Sequence, residues 1–222
     1  MATQQRQAGR GERPSEGPAD DRVLGPAERV PERPFTDPAE TETDTLVMTA
    51  MLASERRIAR TWKADVTGPG ISETAQGGGR QLLAVPDGRA LLAACDVTAV
   101  GFFGSLRGDV DHGVLFEYER RIAQTFPHYA PFGFLSYFDV GPEHGRYGNL
   151  ILFWTPEEPM EWHHDATHRA AVALAPDHYE HIRLHKGRIS GPFMGNGALR
   201  IERTQYLDFS GGRLWRALRM YD

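Results

Sequence analysis

The segment from Gly148 to Arg188 constrains the fold more than any other stretch of this chain. It reads GNLILFWTPEEPMEWHHDATHRAAVALAPDHYEHIRLHKGR. An apolar strand ends at Trp154, a Pro-rich corner follows, then a helix, a break at Pro176 and a second strand. The segment also holds six of the nine histidines: His163, His164, His168, His178, His181 and His185.

On either side, strand and helix signals alternate. Residues 1–43 are rich in Pro, Gly and charge, with Phe35 as the only aromatic. Such a stretch buries too little to offset its conformational entropy and reads as a disordered tail. Residues 44–96 read as an N-terminal extension. Thr43 or Asp44 caps a helix to about Lys63, with Val47, Met51, Ile58 and Trp62 on one face. A glycine-rich loop that matches no phosphate-binding pattern follows. Arg80–Val85 and Arg89–Cys95 then form a hairpin turned at Pro86-Asp87-Gly88. From residue 97 the order is strand (VTAVGFFGSL), helix (Asp111 to about Thr125), strand (Phe132–Val140), strand (Asn149–Trp154), helix (Ala166–Leu174, capped by Asp165) and strand (EHIRLHKGRI). A C-terminal β-hairpin turning at Gly211-Gly212 completes the domain 97–222. This is the ferredoxin-like βαββαβ order, an α+β fold with both helices on one sheet face. The other face would carry Phe102, Phe134, Phe138, Leu152 and Trp154, more apolar surface than a monomer leaves in water. A second copy packed face to face to form a barrel is therefore expected, as a homodimer.

Composition removes several function classes. The net charge of -5 disfavours a nucleic-acid partner. No apolar run approaches the roughly 18 residues of a membrane span, and the polar start lacks the apolar core of a secretion signal. The single cysteine, Cys95, excludes an internal disulfide and fits the cytoplasm; within RALLAAC it reads as a small buried thiol. There is no dinucleotide fingerprint, and GFFGSLRG lacks the nucleophile elbow of a hydrolase.

The run LILFWTPEEPMEWHHDATHRAA resembles the third strand and second helix of dimeric α+β barrel proteins, and within them antibiotic-biosynthesis-monooxygenase-like domains. Trp154, Thr155-Pro156-Glu157-Glu158, Trp162 and Ala166-Thr167-His168 carry the likeness, which covers about residues 97–190. It implies a dimeric α+β barrel. It also implies an enzyme of secondary metabolism that acts on a small hydrophobic, aromatic metabolite by cofactor-independent oxygenation or cyclisation. Two alternatives stay open: a heme-dependent enzyme of the same fold with a His axial ligand, and a non-catalytic ligand-binding or stress-response dimer. Counted from Trp162, Val172 stands where the heme-degrading branch carries its iron-binding His, so that arrangement is absent here.

Three constellations carry the chemistry. His181, Arg183 and His185 alternate on one face of the last core strand. Two imidazoles there can act as bases near neutral pH, and the guanidinium can hold a phenolate or enolate oxygen. These three are the expected catalytic residues, although an edge of that strand lying in solvent would explain the same pattern. His164 and His168, with Glu161, have helical i, i+4 spacing but no third ligand, so no metal is expected. His163 and His178 read as surface residues. Trp154, Trp162, Phe102 and Phe134, with Ser136, Asn149 and His168, are the expected substrate-binding set; core packing is the competing reading for most of them.

Overall fold

The most apolar run of the chain lies in the middle of a sheet, where a strand is buried on both faces. The computed structural model describes residues 22–62, 70–76, 79–143, 146–155 and 160–221. Its strands are β1 (Arg22–Leu24), β2 (Gly70–Gln76), β3 (Gly79–Val85), β4 (Cys95–Leu106), β5 (Phe134–Glu143), β6 (Arg146–Phe153), β7 (Tyr179–Pro192), β8 (Leu199–Asp208) and β9 (Trp215–Met220). They form one sheet in the order β1-β9-β8-β7-β4-β6-β5-β3-β2. Neighbours are antiparallel except the short β1, which runs parallel to β9. The helices are α1 (Pro38–Ala59), α2 (Gly88–Ala93), α3 (Gly113–Thr125), α4 (Met160–His164), α5 (Ala166–Ala173) and α6 (Ala175–His178). The architecture is mixed α+β. No helix among the described residues is long and apolar enough to cross a membrane.

Each sheet face has its own cover. On one, Ile122 and Ala123 of α3, Phe126 and Trp162 pack on Val100, Phe134, Ile151 and Phe153. On the other, Met48, Met51, Leu52 and Ala59 of α1 pack on Ala99, Phe103, Phe138, Leu150, Leu152 and Ile189. Gly101 makes the second contact possible, since a Cβ there would stand 2.5 Å from the Met48 sulfur.

Several expectations change. The face that called for a second copy is covered by the chain's own α1. Its supposed residues are also split: Phe138 and Leu152 face α1, Phe134 faces α3, and Trp154 is 56% exposed. Residues 22–43 are not a tail. Leu24, Val30 and Phe35 are buried against Tyr206 and Ala217, and Pro38 starts α1 with Asp37 as its cap. Residues 1–21 lie outside the described residues. Arg89–Cys95 is not the second arm of a hairpin, because the Asp87 carboxylate accepts from the Arg89 and Ala90 amides and starts α2 instead. Cys95 is exposed rather than buried, and His178 is buried rather than at the surface.

The N-terminal segment is held down by Arg219, whose side chain is fully buried. Its Nε donates to the Gly25 carbonyl at 3.1 Å, Nη1 to the Tyr206 hydroxyl at 2.6 Å, and Nη2 to the carbonyls of Thr36 at 2.9 Å and Glu28. The segment thereby forms a strap across β8 and β9, and it leads directly into α1.

Candidate functional site

Strand alternation turns His181, Arg183 and His185 of β7 toward the α1 face. There α1 presents a carboxylate in its buried stripe: Asp44, 2% exposed, lies on the helix side that also carries Met48, Met51, Glu55 and Ala59. Asp44 Oδ2 accepts from Arg183 Nε at 2.6 Å and from His185 Nε2 at 2.8 Å, and Oδ1 accepts from Arg183 Nη2 at 3.0 Å. Glu40 Oε2, one turn earlier, stands 3.5 Å from Arg183 Nη2. Burial alone would raise the Asp44 carboxyl, but the hydrogen bonds from His185 and Arg183, with the guanidinium charge, hold it below its ordinary value.

His185 is fully enclosed. Burial lowers its imidazole, and the Arg183 charge adds to that, against the raising effect of Asp44. A neutral ring that faces a carboxylate must present its N–H there, so Nε2 carries the proton. Nδ1 then accepts from the hydroxyl of Thr204, 2.8 Å away and its register partner on β8.

Beside this cluster is a cavity of about 190 Å³ lined by Pro34, Phe35, Glu40, Asp44, Phe103, Gly104, Ser105, Tyr147, His181 and Arg183. Five sources meet there: the strap, the first turns of α1, the end of β4, the start of β6 and the start of β7. His181 stacks on Phe35 with centroids 4.2 Å apart and planes within 10°, and Ser105 is its register partner on β4. The expected catalytic trio is thus gathered on one face, but its members differ. His181 and Arg183 reach the cavity, whereas His185 stands behind them as a support for Asp44.

The expected substrate-binding residues do not join them. Trp162 and Phe134 sit in the core on the opposite face. Phe102 packs edge-on against Tyr147 and Tyr179. Asn149 donates to the Tyr137 hydroxyl at 3.4 Å, in a buried group where the Tyr147 hydroxyl also meets Glu119 and Asp139. Ser136 is enclosed beside Glu55 on the α1 face, away from the cavity lining. His168 stacks on Trp162 at 4.2 Å, and burial, followed by the charge of His163, pushes its imidazole down to about 4. Trp154 lies in solvent because its strand ends at Phe153. Among the described residues no group of three His, Cys, Asp or Glu side chains is placed to hold a metal. Pro156-Glu157-Glu158, part of the likeness motif, lie outside the described residues.

No protein-family model, curated protein or solved structure matches this chain. Fold alone does not fix function, and the chemistry of this chain is carried by the site itself.

Asp44, Glu40, Phe35, Phe103, Ser105 and Thr204 were not among the expected site residues. One signal was available. Asp44 and Glu55 interrupt the α1 stripe of Thr41, Met48, Met51 and Ala59, and a carboxylate in a buried stripe needs a partner. The other residues come from elements whose pairing no local pattern specifies.

Proposed function

We propose that this chain acts on a small, flat metabolite, with His181 moving a proton at a group held by Arg183. The observation that carries this reading is the cavity: a buried guanidinium and an imidazole share one wall, with Phe35 and Phe103 as apolar faces. Cavities of roughly 150 Å³ accept benzene, so about 190 Å³ suits one ring with a small substituent. Proton abstraction from such a substrate leaves a phenolate or enolate beside Arg183 and an imidazolium at His181. That step opens both cofactor-independent oxygenation and cyclisation.

The antiparallel order β7-β4-β6-β5, with α3 and the α4–α5 pair as crossovers, supports a ferredoxin-like core related to the dimeric α+β barrels. The α1 cover over its second face weighs against the barrel-type dimer. A heme reading has less support, because a macrocycle of four pyrrole rings is far larger than a one-ring cavity. His185 is also held between Asp44 and Thr204, and His178 Nδ1 faces His112 Nδ1 at 3.2 Å.

Hydrogen–deuterium exchange at the acidic C–H of single-ring enolisable ketones, followed by ¹H NMR in D₂O, tests the reaction class directly. Protein-dependent exchange that is lost in His181→Gln is expected. Exchange no faster than the buffer blank for every ketone contradicts the proposal.

A further inference from the structure

The cavity wall also specifies the charge of what it takes; this step rests on the function proposed above. Arg183 is 5% exposed and spends Nε and one Nη2 proton on Asp44, with Glu40 3.5 Å from Nη2. Its hydrogen bonds to Asp44 use Nε and Nη2, so Nη1 is the end of the guanidinium left to meet a ligand in the cavity that Arg183 lines. A guanidinium N–H pair can only donate, so what it meets in the cavity must be an acceptor.

The charge of Arg183 is already matched, because Asp44 faces it with both oxygens in a fork. A ligand carboxylate would bring a further negative charge toward Asp44 and Glu40. A ligand ammonium would point its donors at the donors of Nη1. A neutral oxygen avoids both repulsions, and it gains most from the guanidinium when charge develops on it. We infer that the cavity binds an uncharged single-ring compound through a neutral carbonyl or hydroxyl oxygen on Arg183 Nη1, and discriminates against carboxylate and ammonium analogues of the same size.

Three probes of matched shape separate the possibilities: acetophenone, benzoate and benzylamine, titrated by calorimetry at pH 7 into the full chain. Acetophenone is expected to bind about tenfold or more tightly than either ion. Its carbonyl stretch should move to lower frequency in the infrared spectrum of the complex, as a guanidinium donor requires. Binding should be lost in Ser105→Leu, which narrows the cavity and retains the Arg183 guanidinium. Equal or tighter binding of benzoate or benzylamine overturns the charge assignment and leaves the proton-transfer proposal standing. An unshifted carbonyl stretch, or binding unchanged in Ser105→Leu, overturns the placement on Arg183. If none of the three binds, the inference and the small-ring site on which it rests fall together.

Discussion

Asp44 meets three donors from two side chains, so its loss leaves Arg183 as an unpaired buried charge and His185 without its acceptor. Asp44→Ala should cost about 3–5 kcal/mol, as for other buried pairs broken on one side, measured by denaturant unfolding. A change within about 0.5 kcal/mol, as at an ordinary surface site, would show that the α1–β7 contact is not formed. Glu55 makes the opposite case. It is fully buried beside the Ser136 hydroxyl, and burial, against the lowering effects of Ser136 and the Arg56 charge, pushes its carboxyl up to about 7. The folded chain then holds this proton more tightly than the unfolded chain, whose carboxyl titrates near 4.5. Its contribution is therefore full below about 4.5 and is lost as pH rises through about 7. Glu55→Gln removes the titration and should be more stable than the parent at pH 8 by roughly 3 kcal/mol, with most of that gain gone at pH 5. A gain independent of pH would refute the assignment. The two tryptophans of the likeness motif also separate: Trp162→Ala should destabilise by about 3–5 kcal/mol, whereas Trp154→Ala should stay near neutral.

At the scale of elements, the strap and α1 decide whether the cavity exists, because they supply Phe35, Glu40 and Asp44 to its wall. Replacing Arg219 by Met removes the donors to Gly25, Glu28 and Thr36. Proteolysis within residues 25–36 should then accelerate while β4–β7 stay protected, an outcome that limited digestion with mass spectrometry reads directly. Unchanged cleavage would mean that Arg219 is not the fastener. Strands β3 to β9 and the α5 cap were legible because their signals are local: alternation in β7, an apolar run in β4, and Asp165 accepting from the His168 amide at 2.7 Å. Strands β1 and β2 were not, since Gly70–Gln76 has the composition of a loop and becomes a strand by pairing with β3. The strap was not, since Leu24, Val30 and Phe35 are sparse apolar residues in a polar stretch and gain their burial only from distant β8 and β9. The Pro86-Asp87-Gly88 turn misled because Asp87 serves equally as a helix cap, and the choice is made by where Leu91 is buried.

For the molecule as a whole, the main revision concerns what covers the sheet. The β7 trio was legible from spacing, but the partner that gives it meaning lies 139 residues away in Asp44, a pairing that no periodicity reports. With α1 in place, self-association is no longer needed to hide the sheet. Sedimentation equilibrium should give a mass near 24.8 kDa; a species of twice that mass at micromolar concentration would restore the face-to-face dimer. The central claim, that the working site lies between α1 and β7, is tested most directly by ¹H–¹⁵N NMR of the histidine side chains during titration with acetophenone. The His181 resonances should move to saturation, while those of His168 and His178, outside the cavity lining, stay in place. An unmoved His181 alongside a saturable shift at either of the other two would put the ligand elsewhere and contradict the account.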